Sequence, residues 1–379
     1  MTSVSYIKHQ VIDRIRIVYL FLKDKRTRDN MLRYLMAKNK KSKYIIKLET
    51  KELIKYWGFF PIQYYTHDFY SKSCTLSIEE MKEYIPSYYF YKIIYPHYDD
   101  IKKTILVLEN KTIMKDMFHG LNIPTSKTIL IKRDDCFFDS VNNKLEDAFV
   151  ELNRCLARNI FIKPTDGRGG KGILIGEKIN SHYMCDDSVV DVFFLRDLDG
   201  DYIIEEAIEQ HDDISDIYEL SVNTLRAVTL RRKTSEVELI AVTLRMGING
   251  RKIDNGSAGG ILIGIDLSTG MALNKFATYE YGEEKFYHHP DSGFAFSEVR
   301  IPNWAIIKNG IIDSAKKINN INLIGWDVAV TNTGFLMIEA NTLLGLDHTQ
   351  SGVGGLRDYF IVGEPLSAIH HDNTNEILL

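Results

Sequence analysis

Two stretches near the end of the chain decide its fold: GWDVAV at residues 325–330 and FLMIEAN at residues 335–341. Bulky and β-branched apolar residues run through both stretches almost without a break, which predicts two short buried strands. The sequence NTG at residues 332–334 lies between them and is typical of a hairpin turn. The two stretches are therefore predicted to be neighbouring strands of one sheet.

Three side chains with oxygen atoms on this strand pair predict a metal site. Asp327 lies in the first strand, and Glu339 and Asn341 lie in the second. Residues two apart in a strand share one face of the sheet, so Glu339 and Asn341 point the same way. Three oxygen donors on one rigid face suit Mg²⁺ that holds the phosphates of a nucleotide. The alternative interpretation is an ordinary strand pair with a few polar ends.

The bulk composition is that of a soluble globular protein. A length of 379 residues with 26% charged side chains favours two or three domains. The apolar run at residues 17–22 is too short for a membrane span and lacks a signal-peptide cleavage pattern. The four cysteines show no CxxC spacing, which argues against a zinc site and a disulfide framework and predicts a cytoplasmic protein. They are Cys74, Cys136, Cys155 and Cys185.

Charge is distributed unevenly along the chain. Residues 1–56 carry 15 Lys and Arg against 5 Asp and Glu, whereas the remainder carries 32 against 46. The basic first segment predicts either contact with an anionic surface, such as lipid headgroups or lipid-linked phosphates, or an ordinary solvated helical face. The acidic remainder argues against nucleic acid as a partner.

The pattern of apolar residues divides the chain into a helical first part and a mixed remainder. Residues 4–37 show helical spacing, residues 38–43 form a polar break, and residues 56–98 are dense in aromatic side chains. Such aromatics suit either stacking on a sugar or packing in a core. Further elements are predicted as helices at 111–119, 145–158 and 303–319, strands at 128–131, 160–164 and 202–208, and a hairpin of 217–231 with 236–246.

A second chemical signal is the stretch FIKPTDGRGGKG at residues 161–172. Lys163 at the end of a predicted strand can reach the α- and β-phosphates of a nucleotide. Four glycines within residues 167–172 let backbone N–H groups approach phosphate oxygens closely. The stretch is neither a Walker A loop nor a GxGxxG fingerprint, and a purely structural turn is the alternative.

Two weaker signals lie between these motifs. The stretch YIIEEAI at residues 202–208 is an apolar strand that ends in acids and can offer backbone groups to an adenine edge, with Asp212 or Asp213 near the ribose. Arg226 and Arg245 lie on the predicted hairpin, where arginines can give charged bidentate contacts to a phosphate. An ordinary solvated arginine is the alternative at both positions.

The order of these elements resembles the ATP-grasp superfamily over roughly residues 105–360. Further motifs resemble one branch, the sugar-transfer-associated ATP-grasp family, whose members are associated with bacterial capsule and exopolysaccharide assembly. They are Trp57 with its following tyrosines, YIP at 84–86, SVNTLR at 221–226, DN at 254–255 through GG at 259–260, HPDSG at 289–293, IPNW at 301–304 and GWD at 325–327.

The resemblance implies an α+β architecture, the ATP-grasp fold, in which two α/β subdomains clasp ATP behind a mainly helical, aromatic-rich N-terminal region. Its expected divisions are residues 1–100, 101–205 and 206–379. The first hundred residues depart from the Rossmann-like domain that precedes many ATP-grasp enzymes, so acceptor binding is not carried over from them.

The resemblance also implies a set of site residues. Those expected to bind ATP are Lys111, Lys163, Asp166, Gly167, Arg168, Gly169, Gly170, Lys171, Gly172, Glu205, Glu206, Ala207, Ile208 and Asp213. Those expected to act in catalysis are Arg226, Arg245, Arg251 and Asn255, and the expected metal ligands are Asp327, Glu339 and Asn341. Expected substrate contacts are Ser257, His289 and His348.

The activity implied is an ATP-dependent ligation of a carboxylate to an amine through an acyl phosphate, with ATP and two Mg²⁺ ions. The expected partners are a small molecule or glycan with a carboxylate and an amine, in surface-polysaccharide biosynthesis. The enzyme would be cytoplasmic, at the inner face of the membrane, in contact with anionic membrane or a lipid-linked sugar. Two alternatives are a phosphotransferase on a sugar or polyol hydroxyl and a non-catalytic nucleotide-binding partner of glycan assembly.

Overall fold

Helices make up the first third of the chain. The computed structural model describes residues 3–167, 172–252, 254, 259–282 and 284–361, with side chains from residue 11. The predicted amphipathic segment forms α1 (Ser3–Lys23) and α2 (Lys25–Met36), and Asp24 between them caps α2 by accepting from the Thr27 amide. Next come α3 (Lys43–Trp57), α4 (Ile62–Thr66), α5 (Ile78–Lys82), α6 (Ser87–Tyr89), a π-helix (Phe90–Ile94), a 3₁₀ helix (Tyr95–His97), α7 (Ile101–Leu108) and α8 (Lys111–Gly120).

The first sheet has seven antiparallel strands in the order β2-β1-β7-β3-β4-β5-β6. Its elements are β1 (Thr128–Arg133), β2 (Cys136–Phe138), α9 (Ala148–Arg154), β3 (Asn159–Pro164), β4 (Leu174–Ile179), β5 (His182–Cys185), β6 (Ser188–Val189), α10 (Val192–Asp197) and β7 (Tyr202–Glu206). The helix predicted at 145–158 is shorter, because Asp147 caps it by accepting from the Phe149 amide and the Cys155 backbone is already extended.

The second sheet also has seven antiparallel strands, in the order β12-β11-β10-β9-β8-β13-β14. Its elements are α11 (Asp212–Ser215), β8 (Thr224–Arg231), β9 (Val237–Met246), β10 (Ile261–Gly264), β11 (Ala277–Tyr279), β12 (Lys285–Phe286), a 3₁₀ helix (Phe296–Glu298), α12 (Trp304–Lys317), β13 (Leu323–Thr331), β14 (Gly334–Asn341), α13 (Leu346–Val353) and α14 (Arg357–Phe360). The predicted hairpin is β8 with β9, although β8 begins at residue 224 rather than 217.

The aromatic-rich region packs as core. Trp57, Tyr64 and Tyr89 are fully buried and belong to a hydrophobic cluster that includes Val228 and Leu230 of β8. The structure therefore supports the interpretation of these aromatics as packing residues. The opposite face of the second sheet is covered by α8 and α12, whose buried side chains share a cluster with Trp326.

The segment before the first sheet packs on the second one. Leu108, Met114, Phe118 and Ile123 lie in the same cluster as Trp326 and the strands around it. A third cluster lies among the strands and helices of the first sheet. The divisions of the chain at residues 101 and 206 stay predictions. Side chains of residues 108–123, which belong to the predicted division 101–205, pack on the sheet of the predicted division 206–379.

A bulge in β14 determines which of its side chains face the core and which lie beside Asp327 on the opposite face. Thr331 pairs with Gly334, so residues 332 and 333 form the predicted hairpin turn. The register shifts between the pairs Asp327↔Glu339 and Val328↔Met337. The extra residue lets Met337 and Ala340, three apart, both face the core, while Glu339 faces away from it beside Asp327.

These elements confirm the predicted α+β fold class: two antiparallel sheets flanked by helices, after an aromatic-rich helical region. Arg226 and Val228 share a face of β8 because side chains alternate along a strand. The face that carries Arg226 and Asp327 is therefore the face on which the N-terminal aromatic cluster packs farther along the strands.

Candidate active site

A row of charged side chains crosses the second sheet. The register places Arg226 of β8, Asp327 of β13 and Glu339 of β14 side by side. Arg226 Nε lies 2.7 Å from Asp327 Oδ1, and Arg245 Nη2 from β9 lies 3.1 Å from Asp327 Oδ2. Arg226 Nη1 also donates to the carbonyl of Leu344, 3.1 Å away. Asp327 is thus held between two guanidinium groups.

The two carboxylates of the row have opposite pKa shifts. Burial favours the neutral form of Asp327, but Arg226 and Arg245 outweigh burial and lower its pKa below the ordinary value. Burial raises the pKa of Glu339; Lys111 partly opposes the shift and the neighbouring Asp327 adds to it. A cation beside Glu339 would relieve this cost, because it would favour the charged carboxylate.

Lys111 connects the two sheets at this row. It is the first residue of α8, and the Asn110 side chain caps the helix by accepting from the amide of Thr112 at 3.1 Å. Lys111 Nζ lies 3.7 Å from Glu339 Oε1 and donates to the carbonyl of Gly167. The predicted phosphate lysine therefore lies between the predicted glycine loop and a predicted metal ligand.

The other predicted phosphate lysine is held by a buried glutamate. Lys163 Nζ lies 2.7 Å from Glu205 Oε2, and Lys115 Nζ lies 2.6 Å from Glu205 Oε1. Ser126 Oγ donates to the same Oε1 atom at 2.8 Å. Burial opposes ionisation of Glu205, but Lys115 and Lys163 overcome it and lower its pKa to about 2. The Glu205 side chain positions lysines rather than facing an adenine.

Lys115 is a member of this cluster that sequence reasoning missed. It is buried, at 3% exposure, and also donates to Ser126 Oγ at 2.6 Å. A signal existed in the sequence: Lys115 lies four residues after Lys111, so both lie on one face of α8. Burial lowers the pKa of Lys115, and Glu205 opposes that shift.

The predicted adenine hinge leaves one amide available. The amide of Glu206 donates to Lys127 O and that of Ala207 donates to Asn159 O, both at 2.9 Å. Among the residues that the structure describes, no hydrogen bond joins the amide of Ile208 to a partner. An adenine edge at this position would meet a backbone donor, which is the role expected of the hinge.

The glycine loop is described at its two ends. Asp166 is exposed, and Gly167 accepts from Lys111. Gly172 has φ +74°, and a Cβ there would lie 3.0 Å from Pro164 Cγ, so glycine suits this turn. Predicted residues that lie outside the described part of the chain are Arg168, Gly169, Gly170, Lys171, Asn255 and Ser257.

Arg245 is bound from its far side by a carboxylate that sequence reasoning did not select. Arg245 Nε lies 3.7 Å from Asp254 Oδ2, and Thr224 donates its amide to the same oxygen at 2.9 Å. Arg251 is exposed, and a methyl group at Gly259 would collide with its guanidinium. Within the described residues, no ion pair joins Arg251 to the charged row.

Two predicted residues lie apart from this row. His289 is buried; its Nε2 lies 2.8 Å from the carbonyl of Gly247, and its Nδ1 accepts from the amide of Asp291 at 3.2 Å. Its ring therefore serves the protein's own backbone. Asp213 lies in the short α11 with an exposed side chain, 3.8 Å from His211 Nδ1, where an incoming ribose could reach it.

His348 belongs to a second polar cluster, at the start of α13. His348 Nδ1 lies 3.6 Å from Glu280 Oε1, and Arg26 Nη2 lies 2.7 Å from Asp347 Oδ2 and 3.5 Å from Glu280 Oε1. The buried atoms Asp347 Oδ1 and His348 Nε2 have no hydrogen-bond partner among the described residues. Burial lowers the pKa of His348. Two unpaired polar atoms in one cluster suggest a place for a polar ligand.

The residues of the row suit Mg²⁺ by their chemistry. Asp327, Glu339 and Asn341 supply oxygen donors, the ligands that this ion prefers. The side-chain nitrogen of Asn341 is buried and has no hydrogen-bond partner among the described residues. No group of three His, Cys, Asp or Glu that could hold a metal occurs in the described ranges.

The comparison with protein families decides the relationship. The model of the family described as sugar-transfer associated ATP-grasp matches residues 92–358, well over half of the chain. The chain belongs to this family. The predicted ATP-grasp fold is thereby confirmed. No curated protein matches the sequence.

Several solved structures are similar to this ATP-grasp protein at low identity. VanG D-Ala:D-Ser ligase from Enterococcus faecalis has a TM-score of 0.39 at 13% identity, covering 70% of this chain and 62% of that one. D-alanine–D-alanine ligase from Bacillus anthracis complexed with ATP has 0.38 at 10%, covering 70% and 68%. N5-carboxyaminoimidazole ribonucleotide synthetase from Thermotoga maritima has 0.35 at 11%, covering 63% of this chain and only 43% of the synthetase.

Proposed function

We propose that this ATP-grasp protein is an ATP-dependent ligase that joins a carboxylate to an amine through an acyl phosphate and releases ADP and phosphate. The observation that carries the proposal is the charged row of Arg226, Asp327 and Glu339 with Lys111 at 3.7 Å from Glu339. Cations from both halves of the fold converge there beside carboxylates, which is the arrangement that ATP phosphates require.

Transfer of the γ-phosphate of ATP to a carboxylate depends on positioning and charge neutralisation more than on covalent catalysis by the protein. In the first step a carboxylate oxygen of the substrate attacks the γ-phosphorus, the bond to the β,γ-bridging oxygen breaks, and ADP leaves. Arg226, Arg245 and Lys163 stay charged at neutral pH and would neutralise the phosphate oxygens. A bound Mg²⁺ would supply further neutralisation of the phosphates, held by Asp327, Glu339 and Asn341.

In the second step the amine nitrogen attacks the acyl carbon, the phosphate leaves, and the nitrogen loses a proton. The polar cluster at α13 is the place we assign to the amine. Glu280 and Asp347 are carboxylates that attract an ammonium group. Burial opposes ionisation of Glu280, but a hydrogen bond from His348 and the charge of Arg26 overcome it and lower its pKa to about 2. Burial lowers the pKa of His348, which favours the neutral ring that can accept the proton.

Only the description of the family supports a more specific proposal for the two substrates. A hexuronic acid carboxylate in a nucleotide- or lipid-linked glycan and an amino acid or amino sugar would suit an enzyme of sugar transfer and surface-polysaccharide assembly. A phosphotransferase that passes the γ-phosphate to a hydroxyl is the second candidate, since the same charged row serves either acceptor.

Trapping with hydroxylamine tests the acyl phosphate. The protein is incubated with ATP, Mg²⁺ and pooled uronic acids, with and without hydroxylamine or pooled amino acids, while phosphate release and product mass are followed. A ligase forms a hydroxamate and an amide, each in step with free phosphate. A stable phosphorylated sugar without free phosphate would instead identify a kinase, and absence of any ATP turnover across the pools would overturn both.

A further inference from the structure

The helix α1 carries its apolar face on the outside of the protein. Ile15, Val18 and Leu22 are each at least 60% exposed, and Val11 and Tyr19 are exposed beside them. At 100° per residue these side chains fall within a sector of about 100° on the helix, a width typical of a core-facing stripe.

The side of α1 opposite this exposed apolar sector attaches the helix to the protein, and half-buried Ile17 and Leu20 lie on it beside Asp13 and Arg16. Asp13 is buried and accepts from the backbone amide of Phe60, and the Arg16 guanidinium lies 3.8 Å over the ring of Tyr88. Asp13 and Arg16 also form an ion pair at 2.6 Å. An ordinary surface helix has a polar outer face, whereas the outer face of α1 is apolar. The apolar face therefore has room for a partner outside the chain.

Exposed apolar side chains concentrate in the same region. The described part of the chain exposes 27 large hydrophobic side chains, and twelve of them lie between residues 11 and 48. They include Leu35 and Met36 of α2 and Tyr44 and Leu48 of α3. Single exposed apolar residues are normal on a soluble protein, whereas a cluster of them marks an interaction surface.

Basic residues accompany this apolar surface. On α3, exposed lysines recur every fourth position, at Lys43, Lys47, Lys51 and Lys55, so they form one stripe along the helix. On α1, exposed Arg14 and Lys23 lie at the two edges of the apolar sector. The excess of Lys and Arg over Asp and Glu in residues 1–56 provides charge complementarity to an anionic surface.

We propose that α1 to α3 bind the surface of an anionic lipid bilayer, with the apolar face of α1 at the acyl-chain boundary and the α3 lysines at the headgroups. No helix in the described ranges is long and apolar enough to cross a membrane, so the attachment is peripheral. A two-fold dimer through this face would bring two basic regions together, which repulsion opposes, whereas a bilayer offers both an apolar layer and negative charge.

Vesicle flotation of the full chain tests the proposal. The protein is mixed with vesicles of phosphatidylcholine alone or of phosphatidylcholine with phosphatidylglycerol, at low and high salt. Binding is expected only to the vesicles with phosphatidylglycerol, and it weakens as salt screens the headgroup charge. The pair Ile15→Glu and Val18→Glu should abolish binding, while each of Lys47→Glu and Lys51→Glu should weaken it at least fivefold.

Controls come from exposed apolar residues elsewhere. Leu156→Glu, at a side chain 89% exposed, and Ile306→Glu on α12 should float as the unchanged protein does. Melting temperature and ATP turnover of the Ile15→Glu protein should match the unchanged protein, since Ile15 faces outward and lies apart from the charged row. Loss of flotation with unchanged ATP turnover would therefore test membrane binding independently of the proposed ligase activity.

Two outcomes would overturn the proposal. One is the absence of flotation with phosphatidylglycerol at low salt, or equal loss of flotation in Leu156→Glu. The other is a dimer in size exclusion with light scattering that Ile15→Glu converts to a monomer, which would make this face a contact between copies of the chain.

Discussion

At the residue scale, the candidate site depends on how each charge is paired. Asp327 is held by Arg226 and Arg245, whereas Glu339 has a single lysine at 3.7 Å and a like charge beside it. The difference explains why burial and neighbours lower the pKa of one carboxylate and raise that of the other. Glu339 is therefore the carboxylate of the row that is most available to a cation.

Replacing Glu339 tests the metal assignment directly. Glu339→Gln keeps the size of the side chain but removes its charge, so we expect ATP-dependent phosphate release to fall roughly 100-fold with the melting curve retained. Glu298→Gln, at an exposed glutamate of the same half, is the matched control. Unchanged phosphate release in Glu339→Gln would refute the role of Glu339 as a metal ligand.

Glu205 makes stability depend on pH. Its folded-state pKa of about 2 lies below the ordinary 4.5, so its contribution is present above pH 4.5 and is lost as the pH falls toward 2. Glu205→Gln should therefore lower the free energy of unfolding by about 3 kcal/mol at pH 7 and by less at pH values below about 4.

Urea denaturation at the two pH values measures this effect. The control Glu177→Gln removes a pair with Arg158 at 3.3 Å in which both side chains are exposed, and it should cost under about 1 kcal/mol. A Glu205→Gln penalty that does not shrink on acidification would contradict the assignment of the shift to Lys115 and Lys163.

At the element scale, α13 is positioned by close approach of backbones. A Cβ at Gly264 of β10 would collide with the carbonyl of Gly352 in α13, and a Cβ at Gly352 would lie 2.5 Å from Thr243 Cγ2. Neither glycine is needed for an unusual φ angle; both are needed because the helix lies directly on the strands. Since α13 carries Asp347 and His348, this packing also places the second polar cluster.

Gly264→Ala tests this packing. We expect a loss of roughly 3 kcal/mol in the free energy of unfolding, because two backbone segments must move apart. Gly120→Ala, where a Cβ meets nothing within 4 Å at the end of α8, should instead be neutral or stabilising by up to about 1 kcal/mol. Equal effects of the two substitutions, measured by thermal and urea unfolding, would contradict the close-approach interpretation.

At the scale of the whole molecule, hydrogen bonds tie the segment just before the first sheet to β14 of the second sheet, and α8 bonds to the first sheet through Lys111 and Lys115. Thr125 Oγ1 donates to Met337 O at 2.7 Å, and the Met337 amide donates to Pro124 O at 2.8 Å. Lys111 adds the ion pair with Glu339. A ligand that contacts Lys163 of one sheet and Glu339 of the other would therefore hold the two halves together.

This arrangement predicts a stabilisation by ATP that requires Mg²⁺. At a hundredfold excess over the dissociation constant a ligand adds about 2.7 kcal/mol, which raises the melting temperature of a protein this size by several degrees. Thermal melts with ATP, Mg²⁺ or both are compared. Only the combination should give the full shift, and Glu339→Gln should lose most of it while Glu298→Gln retains it. An equal shift with ATP alone would contradict the prediction.

The sequence by itself determined many of the element types and the candidate carboxylates of the charged row. Those properties follow from local spacing: the apolar runs around Asp327 and Glu339 read as strands, and the turn between them follows from three residues. The family resemblance implied the α+β class and the site roles of Lys111 and Lys163.

Only the tertiary structure decided which of these residues meet. Arg26 reaches Asp347 across more than 300 residues, Lys115 shares Glu205 with Lys163, and the bulge at Ile338 turns Glu339 away from the core. No local pattern contains these contacts, because each depends on how distant segments pack. The apolar face of α1 is the clearest case: its periodicity predicted a helix, but only packing showed that the face points outward.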